Sequence, residues 1–158
     1  MELKKKKPII FIVSGKASSG KDTTCNFINN YVELKKMKCI NLQFSSYIKM
    51  YAKEIFNWDG SEESKPRTLL QELGTDIIRN KIDEKFFINR IIEDIKVYSY
   101  YFDFITISDA RFKEELDSIY NEFDNVYKLR IDGPLFENNL NEKEKNHITE
   151  VSLDDYND

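Results

Sequence analysis

"PIIFIVSGKASSGKDTT", Pro8 to Thr24, joins an apolar run to a glycine-bounded turn, and then to a lysine, an aspartate and two threonines. The run Pro8 to Val13 has no polar alternation, so it reads as a strand covered on both faces, as in parallel sheets. Gly15 and Gly20 break it, with four residues between them and Lys21 directly after. From Lys21 onward Cys25, Phe27, Ile28, Tyr31 and Val32 recur at helical spacing. That helix should fade near Lys35 and Lys36, where basic side chains favour a C-terminal end. Strand, G-x-x-x-x-G-K, helix is the context in which this spacing predicts a phosphate-binding loop. Backbone N–H groups would curl around phosphate oxygens, the helix would aim its positive end at them, and Lys21 would add a point charge. Gly15, Lys16, Ser18, Ser19, Gly20, Lys21, Asp22, Thr23 and Thr24 are therefore the expected nucleotide site.

Asp22 stands where a hydroxyl residue normally follows the lysine and touches Mg²⁺. A carboxylate cannot rest against phosphate without severe repulsion. Asp22 is thus expected to face the water shell of Mg²⁺, or to pair with an arginine or Lys16; the plainer reading is a favourable acid in the first turn of a helix. Thr23 is left as the hydroxyl for phosphate, with Thr24 behind it.

Beyond the loop, strands and helices alternate. "KCINLQF" (Lys38 to Phe44) alternates like a second strand, Ser45 to Phe56 is helical, and Asn57 to Pro66 is a polar connection. Arg67 to Asn80 and Asp83 to about Tyr98 read as two further helices, the latter with Phe86, Phe87, Ile91 and Ile95 on its apolar face. "YFDFITIS" (Tyr101 to Ser108) is a third strand ending at Asp109, Phe112 to Tyr120 is a helix, and Asn125 to Ile131 is a fourth strand. The stretch from Asp132 to Asn146 shows no periodicity and is long enough for a functional mobile loop. Such alternation predicts an α/β fold around a parallel sheet. No internal repeat and no second domain are evident. The 158 residues suit one domain, with a helical region at about 45–100 and a lid-like loop at about 132–147.

Composition excludes several classes. At 41% hydrophobic the chain can build an ordinary core, and a formal charge of -4 gives no electrostatic footprint for nucleic acid. The lysines at 4–7 read as a solvated end. No apolar run approaches the roughly 18 to 20 residues that span a bilayer, and Ile9 to Val13 is too short for a signal peptide. Cys25 and Cys39 lie outside any metal-ligand spacing and read as reduced thiols in a cytoplasmic protein. His147 is the one histidine, which leaves no multi-histidine metal site.

Asp109 falls at the carboxyl edge of the third strand, where parallel α/β sheets place their chemistry. It could order Mg²⁺ and its waters or accept a proton; the alternative is an N-cap. Arg111 could clamp a phosphate bidentately. In "RTLLQELGTDIIR" (Arg67 to Arg79), Gly74 and Thr75 interrupt a helix at a cost of roughly 1 kcal/mol against alanine. Close approach of a ligand or another backbone would explain the glycine, and so would tight helix packing. Arg67, Gln71 and Arg79 could recognise a phosphate or a base edge.

Four stretches, "SGKASSGKDTT", "RTLLQELGTDIIR", "SDARFKEELD" and "HITE", spanning Ser14 to Glu150, resemble the deoxynucleoside monophosphate kinases of bacteriophages in the P-loop kinase superfamily. A more distant likeness is to animal-type phosphomevalonate kinases. The resemblance implies a three-layer α/β/α fold with a five-stranded parallel sheet, and γ-phosphoryl transfer from ATP to a (deoxy)nucleoside monophosphate with Mg²⁺. It makes aspartate after the lysine a family feature. It implies that Lys21, Asp109 and Arg111 are catalytic and that Asp22 serves the metal. It also implies that Lys49, Arg67, Gln71, Gly74, Thr75, Phe87, Asp109, Arg111, Glu115 and Arg130 serve the acceptor side, Phe87 as an aromatic near the base. His147 matches a segment after the lid, without a metal or triad role. The family's closing strand and helix have no counterpart before Asp158, so that part of the fold is expected to be missing. The expected partners are nucleotide substrates, with no nucleic acid and no membrane, and a homodimer is compatible. Rival readings are a phosphomevalonate or dephospho-coenzyme A kinase, and a catalytically inactive nucleotide-binding regulator.

Overall fold

The computed structural model describes residues 3–133 and 140–156. Strands β1 (Ile9–Ser14), β2 (Cys39–Leu42), β3 (Phe104–Ala110) and β4 (Val126–Arg130) form one parallel sheet in the order β2-β3-β1-β4. The four strands are those expected from the sequence, one fewer than the five that the family resemblance implies for a complete sheet, among the described residues. After β4 the described chain forms two short helices, α6 (Glu142–Lys145) and α7 (Ile148–Val151).

Strand alternation sorts the two layers. Ile10, Ile12, Ile105 and Ile107 enter the main core with Ile88, Ile91 and Ile95 of α4 (Phe86–Tyr98) and Leu116 and Ile119 of α5 (Lys113–Glu122). Thr106, between two of those isoleucines, turns to the opposite face and meets α1 (Lys21–Leu34), whose Asn29 Nδ2 donates to Thr106 Oγ1 at 3.1 Å. The helix after β1 leads to β2 on one side, while the helix after β3 leads past β1 to β4 on the other. Chains leaving neighbouring strands in opposite directions open a crevice at the strands' carboxyl ends.

The β1–β3 register slips at that edge: Ile12 lies opposite Ile107, but Ser14 lies opposite Ala110. Ser108 and Asp109 together face Val13, and such a bulge re-aims the side chains beside it.

Helix α2 (Ser45–Phe56) keeps its expected bounds, whereas the expected helix from Arg67 to Asn80 is split. Its first turn is α3 (Arg67–Gln71), and Glu72–Ile82 continues as a π-helix closed by Asp83 N–H donating to Ile78 C=O at 2.9 Å. Long π segments are uncommon and tend to mark functional sites. Gly74 sits in this segment because a Cβ there would lie 2.7 Å from Ile48 Cδ1. The close neighbour is an α2 side chain, as tight helix packing requires, and Gly74 also lines the cleft of the candidate active site.

Residues 134–139 of the expected lid lie outside the described residues. The end of that aperiodic stretch is ordered as α6, where Asn141 Oδ1 accepts from Glu144 N–H at 2.9 Å and the Glu144 carboxylate accepts from Asn141 N–H at 3.0 Å. This reciprocal cap was legible as N-x-x-E. Cys25 and Cys39 are free thiols; burial pushes Cys25 up to about 11, which makes it inert. Among the described residues no helix is long and apolar enough to cross a membrane.

Candidate active site

The loop after β1 is bent by necessity. Gly15 has φ +147°, and a Cβ there would lie 2.5 Å from Ile131 C=O and 2.7 Å from Ser19 Oγ. Ile131 is held in turn, its N–H donating to Ser14 C=O at 2.9 Å. Gly15→Ala must therefore move backbone as well as adopt a strained φ, at a cost on the order of 1–3 kcal/mol. The expected result is a melting temperature lower by several degrees, read by thermal denaturation, together with weaker MgATP binding read by calorimetry.

Several features fit a triphosphate. Helix α1 opens at Lys21 with no side-chain cap on its first N–H groups, which leaves them for an anion. Ser19 Oγ is buried without a hydrogen-bond partner, an unmet polar group in the loop itself. Nothing lies within 4 Å of where a Cβ of Gly20 would sit, so the loop is open there. Lys21, 7% exposed, folds over the loop and donates from Nζ to Lys16 C=O at 2.6 Å.

Asp22 pairs with neither an arginine nor Lys16, which corrects that expectation. Its Oδ1 accepts from Gln43 Nε2 at 3.3 Å, while Lys16 Nζ bonds Asp154 at 3.0 Å. Asp22 remains exposed at the mouth of the cleft. Among the described residues no three His, Cys, Asp or Glu side chains cluster as a metal site. One exposed carboxylate suits Mg²⁺, which keeps several waters and takes its other ligands from phosphates. Thr24 Oγ1 donates to Gly20 C=O at 3.0 Å, and Thr23 is exposed outside the cleft wall.

A cleft of about 410 Å³ runs from Ser18, Lys21 and Asp22 to the acceptor side, where every expected residue except Arg130 lines it. Its wall carries six cations (Lys21, Lys49, Lys65, Arg67, Arg79 and Arg111) against four carboxylates (Asp22, Glu62, Asp109 and Glu115). Lys49 Nζ donates to Gln43 Oε1 at 3.1 Å. Arg67 lies 3.8 Å from Glu62, which also binds Lys65 at 2.7 Å. Arg67 is therefore loosely held and available.

Three of the expected side chains also have fixed partners within the protein. Asp109 accepts from Phe44 N–H at 2.8 Å and Ser45 N–H at 2.9 Å, one on each carboxylate oxygen. It caps α2 from a neighbouring strand, replacing the cap that Phe44 cannot supply. Each oxygen accepts one of these bonds and keeps a second lone pair, and Asp109 also lines the cleft, so the helix cap is a role it holds beside the one expected of it. Glu115, 1% exposed, is bonded by the Arg79 guanidinium, by Arg111 N–H at 2.7 Å and by Phe112 N–H at 3.1 Å. It buttresses the wall that an acceptor would touch. Burial nevertheless pushes its carboxyl up to about 7. Phe87 is 1% exposed, edge-to-face with Phe86 at 5.2 Å, and belongs to the core. Phe112, half-buried with the Arg79 guanidinium 4.0 Å over its ring, is the aromatic with surface left in the cleft.

Arg130 lies elsewhere. It donates to Leu153 C=O and to Asp132 at 3.0 Å, and with Gly15 and Lys16 lines a separate small recess under the C-terminal segment. Arg111 reaches both recesses and donates to Thr149 C=O at 3.4 Å. His147 Nδ1 accepts from Thr149 N–H at 3.3 Å and caps α7, a local structural role. Gln43, Ser108 and Phe112 were missed in the sequence. The signal for Gln43 was the alternation in "INLQF", which puts Asn41 and Gln43 on one face at the carboxyl end of a strand.

Comparison with known proteins adds to this geometry. The family model described as deoxynucleotide monophosphate kinase matches residues 34–157. No curated protein matches the chain. Among solved structures, a cysteine-to-alanine mutant of the Mycobacterium tuberculosis APS kinase CysC is similar with a TM-score of 0.52 at 10% identity, covering 85% of this chain and 82% of that one. At that identity the likeness concerns the fold alone, an α/β arrangement around a parallel sheet.

Proposed function

Since the chain belongs to the deoxynucleotide monophosphate kinase family, we propose that it transfers the γ-phosphoryl of ATP to a (deoxy)nucleoside monophosphate, releasing ADP and a diphosphate. The observation that carries this reading is one cleft whose wall carries Lys21 and Asp22 of the phosphate loop together with Lys49, Arg67 and Arg111. A donor phosphate at one end and an acceptor phosphate at the other would meet in line between them. In the proposed division of labour the loop N–H groups and Lys21 hold the ATP phosphates, and residues 45–100 receive the monophosphate. Phe112 offers the base an aromatic face. Asp22 would hold Mg²⁺ through its waters, and the ion would supply charge neutralisation at the transferred phosphoryl group.

Transfer of this kind needs little covalent help from the protein and depends on positioning, positive charge and exclusion of water. Asp109 serves by fixing the start of α2, and Glu115 by fixing Arg79 and the chain at Arg111 and Phe112. The test is a coupled ADP-release assay with MgATP over the four deoxynucleoside monophosphates, the four ribonucleoside monophosphates, mevalonate phosphate and dephospho-coenzyme A. Turnover of at least one nucleoside monophosphate is expected. Turnover confined to a non-nucleotide acceptor, or MgATP binding without any turnover, would overturn the proposal in favour of a different kinase or a regulator.

A further inference from the structure

The side chain of Gln43 joins both halves of the cleft through one amide. Its Nε2 donates to Ser108 Oγ at 3.0 Å and to Asp22 Oδ1 at 3.3 Å, and its Oε1 accepts from Lys49 Nζ at 3.1 Å. Those partners decide which way the amide faces, because an ammonium only donates and a carboxylate only accepts. Behind Gln43 a ladder of polar side chains crosses the sheet. Ser108 Oγ also accepts from Asn41 Nδ2 at 3.1 Å, Thr106 Oγ1 donates to Asn41 Oδ1 at 2.9 Å, and Asn29 of α1 donates to Thr106 at 3.1 Å. Thr106 and Ser108 are fully buried, so the ladder is rigidly placed in a site where polar groups need their partners. The backbone of Gln43 is held as well, its C=O accepting from Ser46 Oγ at 2.6 Å.

We propose that Gln43 is a positioning residue that keeps Asp22 on the donor side and Lys49 on the acceptor side apart and aimed, Asp22 at the metal's waters and Lys49 at the acceptor phosphate. This rests on the nucleotide kinase reading of the cleft. The physical reason is charge. A carboxylate and an ammonium that both reach the same neutral amide are close enough to attract each other. With the amide between them each has a satisfied contact and neither moves. Without it they would pair directly, drawing Lys49 off the acceptor phosphate and Asp22 off the metal waters.

The experiment compares wild type with Gln43→Met, which keeps the length and loses the hydrogen bonds, and with Asn41→Leu, which cuts the ladder away from the cleft. A hydrogen bond to a charged group sets the scale, so Gln43→Met is expected to raise KM for both MgATP and the monophosphate by about tenfold. Asn41→Leu, which leaves all three contacts of the Gln43 amide in place, should lower the melting temperature and raise both KM values less than Gln43→Met does. Gln43→Glu, of the same shape, places a second negative charge beside Asp22 and should raise KM for MgATP in particular; it carries the test if Gln43→Met does not fold. Calorimetric titration with MgADP reads the Asp22 half without any acceptor and should show weaker binding to the Gln43 variants. A Gln43→Met or Gln43→Glu protein that folds, with both KM values and MgADP affinity unchanged, overturns the inference. A wild type that turns over no nucleoside monophosphate overturns instead the function on which the acceptor half rests, while MgADP titration still decides the Asp22 half.

Discussion

Alanine in place of Lys21 is expected to lower kcat by about 10²- to 10³-fold, the usual loss when one preorganised charge aimed at a transition state is removed. Lys21 is the cation at the junction of β1's loop and α1, next to helix N–H groups that carry no side-chain cap. Its ammonium already rests in the loop on Lys16 C=O at 2.6 Å. Phosphate oxygens would draw it from that carbonyl at no cost in reorganising the backbone. Parallel thermal melts separate this loss from any effect on stability, since Lys21 is also buried in the loop. Lys21→Arg should not restore turnover, since a planar fork cannot occupy the place of a compact ammonium. Steady-state kinetics over MgATP concentration with parallel thermal melts reads both effects. A kinase whose rate is unchanged by Lys21→Ala would refute the role given to the loop.

The second large effect is on stability. Glu115 and Arg79 form an ion pair with side chains 2% and 10% exposed, beneath the cleft wall. Removing one partner of such a pair leaves an uncompensated buried charge, at a cost of about 3–5 kcal/mol. Glu115→Ala should therefore lower the melting temperature by roughly 6–20 °C for a domain of this size. It should also raise KM for the acceptor, because Arg79, Arg111 and Phe112 lose a common anchor. The pair has a pH dependence with a definite sign. Burial raises the Glu115 carboxyl from 4.5 to about 7. A raised group contributes stability that is fully present below its unfolded value and is lost as pH rises through its folded value. The contribution of Glu115 thus declines between about pH 5 and pH 7.5. Urea denaturation at pH 5.5 and pH 8 should show a larger loss at the higher pH in wild type than in Glu115→Gln, which keeps an acceptor for Arg79 but cannot ionise. Equal losses in the two proteins would contradict the raised value.

What could be read in advance follows the reach of the signals. The strand before Gly15, the helix after Lys21 and the helix from Ser45 to Phe56 are set by residues within a turn or two of one another. Hydrophobic period and glycine punctuation located them closely. The split of the Arg67 helix into α3 and a π-helix was only half visible. Gly74 marked the place, but the reason for it, Ile48 of α2, lies 26 positions earlier. Asn141 to Glu144 shows the opposite failure, a local capping signal overlooked inside a stretch read as loop.

The candidate site divides in the same way. The sequence by itself determined that a glycine-bounded loop joins the first strand to a helix and that the sheet is parallel, and the motifs that carry the family resemblance implied that Arg67, Lys49 and Arg111 belong on one side of the site. Each conclusion rests on contiguous motifs or on the rule that parallel strands gather their loops at one edge. Only the tertiary structure decided what the carboxylates do. Asp109 caps a helix begun 64 residues earlier, Glu115 holds an arginine 36 residues away, and Asp22 meets Gln43 rather than any cation. A carboxylate reads the same in sequence whether it faces metal water, a guanidinium or a row of backbone N–H groups. Which of these it meets depends on strand order and on a one-residue bulge at Ser108 and Asp109, and neither leaves a trace in the local pattern of residues.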